Sequence, residues 1–284
     1  MKFKFKFLSI FLIFLTASSC SSSVKTYDST NDCLNAFQLD TSENSKIIDK
    51  FYIVGHAYGS HQSDNPALSY KLIDFLKTQE KNEYSLILTG DFIRNSSLDN
   101  MYTLREQLNE YFKEYYFSIG NHDIDYGRSD SFYKVFGSDL EIVKYKNIDL
   151  IIANFSTFNW EPKDQDKEKI NEYLKKSKSE YIILFSHQIF WEEMVEKPIK
   201  KNADDLLETS LSKYSLDWLS RSQKKLIVIS GDYGLHEYNT YCEHNTKTNT
   251  IFIANGLYDR QEDTILELII TDSTFKLKEK NISN

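Results

Sequence analysis

The sequence predicts a layered α/β sandwich with helices on the outside, and three observations carry that expectation. Short, near-continuous runs of Ile, Leu, Val, Phe and Tyr recur between Gly, Asn or His residues, as buried strands do. Helix-period segments separate several of these runs, and strands alone dominate the end of the chain; alternation followed by a strand-rich tail suits stacked sheets with helices outside. No repeat of fixed period interrupts this order.

The first twenty residues stand apart from the fold. Lys2, Lys4 and Lys6 precede an apolar run over 7–15, then small residues and Cys20, which is a secretory signal pattern. The run is short for a helix crossing a ~30 Å hydrocarbon core. Ala17, Ser18, Ser19 and Cys20 resemble a lipobox, so the expectation is a signal peptide over 1–20, lipidation of Cys20, and a membrane-anchored lipoprotein of a bacterial cell envelope facing the periplasm or exterior. A soluble secreted protein cut nearby, or an uncleaved anchor helix, are the alternatives. Residues 21–45, rich in Ser, Thr, Asn and Asp, read as a flexible linker. Residues 46–284 suit one sizeable domain.

The strands are expected at 51–54, 84–89, 115–119, 150–155, 181–185, 226–229, 251–254 and 265–270. The first helix is expected to start with Asn65 as N-cap and Pro66 at the first helical position, with Leu68, Leu72, Ile73, Phe75 and Leu76 on its apolar face. Further helices are expected at 98–112, 167–174, 206–211 and 216–219.

The net charge of −8, which becomes −11 once Lys2, Lys4 and Lys6 leave with the signal, argues against nucleic acid as a partner. Beyond Cys20 only Cys33 and Cys242 remain, which excludes an all-cysteine metal site and permits one disulfide in an oxidising compartment. Two unpaired thiols are the other reading.

Five strands run directly into a residue able to bind metal: His56, Asp91, Asn121 with His122, His187, and Asp232. Ligands bind at the carboxyl ends of strands in open α/β sheets. Each residue alone has an ordinary reading as a turn former or loop residue, but their joint recurrence points to a mixed nitrogen and oxygen site suited to Mn, Fe or Zn.

The segments Gly90-Asp91, Gly120-Asn121-His122-Asp123, Ser186-His187 and Gly231-Asp232, in this order at successive strand ends, resemble the signature blocks of calcineurin-like metallophosphoesterases over about residues 47 to 275. The resemblance implies a four-layer αββα sandwich with one or two divalent metal ions at the carboxyl ends of the strands. It implies that Asp91 bridges two metals and that Asn121 and His187 bind the second. It also implies that His122, oriented by Asp123, contacts the phosphate and protonates the leaving oxygen.

Two blocks depart from the family. Aligning Gly59 with the family's glycine puts His56 where Asp belongs and Tyr58 where His belongs; the last block, normally Gly-His-x-His, reads Gly231-Asp232-Tyr233-Gly234. An Asp and a His have in effect exchanged places. The losses at Tyr58 and Gly234 both fall on the first metal, so the expectation is one ion held firmly by Asp91, Asn121, His187 and Asp232, and the other weakly or not at all. His61, His236 and His244 could supply a missing ligand, His236 best by position, though solvent-exposed loop histidines are the plainer reading. Arg94 is a candidate phosphate contact or a surface arginine, and Trp160 and Trp191 candidates for an aromatic rim, although core packing is the commoner use.

The implied function is hydrolysis of a phosphomonoester or phosphodiester in the envelope. The competing reading is a non-catalytic metal-binding envelope lipoprotein that retains the fold.

Overall fold

The computed structural model describes residues 24–25, 33–35, 45–124, 130–156, 162–191, 224–234 and 240–282. Two sheets are stacked face to face. One has five strands: β2 (Ile47–Val54), β3 (Ser85–Thr89), β4 (Tyr115–Ser118), β11 (Thr264–Thr271) and β12 (Phe275–Asn281), in the order β12-β11-β2-β3-β4. The other has seven: β1 (Val24–Lys25), β5 (Leu140–Lys144), β6 (Ile148–Ala153), β7 (Tyr181–Ser186), β8 (Lys225–Ser230), β9 (Thr240–Asn245) and β10 (Thr250–Asn255), in the order β1-β9-β10-β8-β7-β6-β5. β2, β3 and β4 are mutually parallel, as are β6, β7, β8 and β10.

Period-two alternation builds the layers. Phe51 and Ile53 of β2 and Leu150 and Ile152 of β6 face into the core between the sheets. Tyr52 and Val54 face out, under α1 (Tyr70–Lys77), α2 (Leu98–Tyr111) and α3 (Asp130–Val135), through Leu72, Phe75, Leu104, Leu108 and Phe132. Ile151 and Ala153 face out on the other side, under Ile170 and Leu174 of α4 (Asp164–Lys176). Three apolar cores thus separate four layers, helix, sheet, sheet, helix, as expected.

All eight expected strands are present. Two expected helices start elsewhere: α4 begins at Asp164, and α1 is capped by Ser69, whose hydroxyl accepts from Leu72 N at 3.2 Å. Asn65 is therefore not an N-cap; its Nδ2 donates to Tyr58 O at 3.0 Å, and Leu68 N donates to Gln107 Oε1 at 3.2 Å, which holds 65–69 as a loop. The expected helices at 206–211 and 216–219 lie outside the described residues.

Among the described residues, the segment read as a linker is tied to the domain at two points. β1 pairs antiparallel with β9, and the buried Cys33 forms a disulfide with Cys242 of β9 across a sequence separation of 209. Among the described residues no helix is long and apolar enough to cross a membrane; residues 1–20, including Cys20, lie outside them.

Candidate metal centre

The parallel strands β2, β3, β4, β7 and β8 end on the same side of the two sheets, and their following loops carry His56, Asp91, Asn121, His187 and Asp232. Close backbone packing binds these loops. His56 N donates to Gly90 O at 3.0 Å, Tyr58 N to Asp91 O at 3.2 Å, and Asp232 N to His187 O at 2.9 Å. His56 and Asp91 hold left-handed φ values of 49° and 51°, uncommon for residues with a side chain and found where a site requires them. Gly90 (φ +83) leaves room for the His187 ring, which a Cβ there would meet at 2.3 Å.

The buried Asp91 carboxylate is the centre of the arrangement. His187 Nε2 stands 3.3 Å from its Oδ1, and His56 Nε2 and His122 Nε2 stand 3.6 and 3.9 Å from its Oδ2. Each imidazole turns its Nδ1 to a backbone carbonyl: Thr89 O at 3.0 Å for His187, Gly59 O at 3.0 Å for His56, and Arg94 O at 3.2 Å for His122. A carbonyl only accepts, so each Nδ1 carries hydrogen and each Nε2 faces the carboxylate, the outer-sphere arrangement common to metal-binding histidines.

Around His187 Nε2 lie three oxygens from three residues: Asn121 Oδ1 at 3.1 Å, Asp91 Oδ1 at 3.3 Å and Asp232 Oδ1 at 3.7 Å. A proton on Nε2 serves one of them well, whereas a divalent cation serves all. Ligand atoms of Asp91, His187 and Asp232 lie within 4.8 Å of one another, and with Asn121 this oxygen and nitrogen set fits a divalent ion of the Mn, Fe or Zn kind. Electrostatics agree. Burial alone would lower the pKa of His187, but the Asp91 and Asp232 carboxylates raise it to about 10. Burial would raise that of Asp91, yet the surrounding His187, His122 and His56 hold it far below the usual carboxylate range.

The first-metal side is different. Burial lowers the pKa of His56 to about 4 against the pull of Asp91. Tyr58 is fully buried, and its hydroxyl lies 3.4 Å from His56 Nε2 and 2.7 Å from His61 Nδ1. Burial, then Asp91, Asp123 and Asp232, raise its pKa far beyond the usual phenol range. Gly234 presses its backbone on the His56 ring, where a Cβ would meet His56 Cγ at 2.9 Å and Leu257 O at 2.2 Å. Among the described residues, the family's first-metal positions here keep only His56 and Asp91, which is too few donors for a second firmly held ion.

Several side chains stand elsewhere than the sequence implies. Asp123 does not orient His122. It is fully buried and accepts four backbone N–H groups, from Gly120 (2.7 Å), Asp91 (2.8 Å), Phe92 (3.0 Å) and Ile93 (3.3 Å), so it shapes the two loops that present Asp91 and Asn121. Burial and the Asp91 charge push its pKa up to about 8, with the Gly120 and Ile93 donors pulling the other way. Arg94 does not reach toward a phosphate; its guanidinium donates to Ser63 O and to His61 O. Trp191 is fully buried, stacks on Phe252 and donates from Nε1 to Ser230 Oγ at 2.8 Å, so it belongs to the core and to no rim. His244 is buried in β9 opposite Ile251, whose other neighbour Ile227 lies near the start of β8, at the far end of the sheet from Asp232. His61, which no motif position marks, is at the site. His236 and Trp160 lie outside the described residues.

A family model described as calcineurin-like phosphoesterase matches residues 60–221. No curated protein matches the sequence. Among solved structures, PhoD is 8% identical with a TM-score of 0.52 over 82% of this chain and 66% of its own. The phosphopantetheinyl hydrolase of Mycobacterium tuberculosis is 11% identical with a TM-score of 0.43, over 74% of this chain and 90% of its own. Vacuolar protein sorting 29 of Cryptosporidium parvum is 9% identical with a TM-score of 0.35, over 84% and 100%. At these identities the likeness to PhoD speaks for the fold alone.

Proposed function

The chain belongs to the calcineurin-like phosphoesterase family, and from that premise we propose that it hydrolyses a phosphomonoester or phosphodiester in a bacterial cell envelope, using one firmly held divalent ion. The observation that carries this reading is the convergence of Asp91, Asn121, His187 and Asp232 at the strand ends. When bound, Mn, Fe or Zn would supply Lewis acidity toward a phosphoryl oxygen and toward water. The chain's own residues do the rest. His122 is partly exposed beside Asp91, with Nδ1 tied to Arg94 O, and its Nε2 is the group placed to serve the leaving oxygen as general acid. Asp123 fixes the loops that present Asp91 and Asn121.

Export and anchoring through Cys20 are supported by the signal pattern and by the Cys33–Cys242 disulfide, since such bonds persist in oxidising compartments. A non-catalytic, metal-binding envelope lipoprotein is the second reading, favoured by Tyr58 and Gly234 standing at the first-metal position. One assay separates the two: the mature protein with Mn, Zn and Fe on generic phosphomonoesters and phosphodiesters, beside Asp91→Asn and His122→Ala. Metal-dependent turnover lost in both variants supports hydrolysis. Bound metal with no turnover on any ester supports the second reading.

A further inference from the structure

His61 is fastened into the site from both sides of its loop. Gly59 turns the chain with φ +82, where a Cβ would meet the Asp259 carboxyl at 2.4 Å, and the same carboxyl accepts Ser60 N at 2.8 Å. Arg94 holds the other side, donating to Ser63 O and, at 2.7 Å, to His61 O. The imidazole consequently sits among four rings, with centroids 5.2 Å from His122, 5.5 Å from His56, 5.6 Å from Tyr58 and 6.2 Å from Tyr258. Arg94 also gives its own carbonyl to His122 Nδ1, so one residue sets the position of both imidazoles.

The Tyr58 hydroxyl lies 2.7 Å from His61 Nδ1, 3.4 Å from His61 Nε2 and 3.4 Å from His56 Nε2. Donation from the hydroxyl to one His61 nitrogen leaves the hydrogen of a neutral ring on the other. Tyr58 is wholly buried, whereas His61 is only half-buried, so of the two it is His61 that solvent reaches. Among the described residues, this is the side where Tyr58 and Gly234 stand against His56.

Resting on the phosphoesterase reading above, we propose that His61, braced by Tyr58 and Arg94, contacts the substrate phosphate through its remaining ring N–H and takes over anion binding on the side where a second cation would otherwise stand. Hydrogen bonds to phosphate are among the stronger ones because the acceptor is charged.

The test is calorimetric titration of orthophosphate into the zinc-loaded full chain, for wild type, His61→Gln and His61→Ala, with zinc content measured for each. The proposal expects wild-type zinc content throughout, a loss of about tenfold or more in phosphate affinity for His61→Ala, and a smaller loss for His61→Gln, which keeps an N–H donor. On addition of phosphate, the ring ¹⁵N signals of His61, assigned by their loss in His61→Gln, should move. Phosphate binding that is the same in wild type and His61→Ala, with unmoved His61 signals, overturns this proposal alone. Zinc-loaded wild type that binds no phosphate overturns the phosphoesterase reading with it.

Discussion

Replacing Gly90 by alanine presses on the metal centre without touching a ligand atom. The added Cβ would stand 2.3 Å from Cγ and Nδ1 of His187, whereas ordinary contact begins at 3.4 Å, so the ring must retreat by about 1 Å. That is several times the tolerance of about 0.2 Å for a metal–ligand bond, and it strains the bond from His187 Nδ1 to Thr89 O. A left-handed backbone costs a residue with a side chain about 1–2 kcal/mol, and overpacking a further 1–3 kcal/mol or so. The variant should therefore lose about 2–5 kcal/mol of stability. Its zinc affinity should fall by about 10- to 100-fold, the range seen when ligand orientation is disturbed. Urea unfolding measures the first quantity, and competition against a chromophoric chelator, on protein shown to be folded, measures the second. A folded Gly90→Ala protein with wild-type zinc affinity would refute the assignment of His187 as a ligand.

Asp123→Asn puts an NH₂ group among four backbone donors; urea unfolding should show a loss of about 2–4 kcal/mol, and zinc affinity should fall because the loops carrying Asp91 and Asn121 lose their common anchor. Reducing the Cys33–Cys242 bond opens a constraint across 209 residues, worth at most about 5 kcal/mol in the chain-entropy account; thermal unfolding with and without reductant should show a lower midpoint when reduced. Glu267 is buried; burial would raise its pKa, but Lys278 and the Tyr84 hydroxyl hold it below its ordinary 4.5. A depressed carboxylate contributes stability above its unfolded pKa and loses it as pH falls through the folded one. Wild-type stability should therefore decline more steeply below about pH 4.5 than that of Glu267→Gln, as urea unfolding across that range would show.

The central strands were legible because burial on both faces leaves them nothing but apolar residues, as in 181–185 and 251–254. β5 and β12 were missed as edge strands, where solvent admits polar residues; in β12 the alternation of Phe275 and Leu277 with Lys276 and Lys278 was the available signal. β9 carries Glu243 and His244 in a buried setting that composition does not announce. The metal-centre residues were legible for a topological reason: parallel strands deliver their carboxyl ends to one place, so residues immediately after them meet. Asp123 was misassigned because adjacency to His122 in sequence says nothing of direction, and its carboxylate turns inward to backbone donors. His61 was undervalued because its position depends on two distant partners, Arg94 and Asp259, that no local pattern reveals.

In the proposed site one ion is held by Asp91, Asn121, His187 and Asp232, while Tyr58 and Gly234 stand against His56 on the other side of Asp91. Elemental analysis of the purified protein, joined to anomalous diffraction at the metal edge, tests this most directly. The account expects a single ion per chain, with its anomalous peak between His187 Nε2 and the Asp91 and Asp232 carboxylates. Two tightly held ions per chain, or a peak between His56 and Asp91, would contradict it.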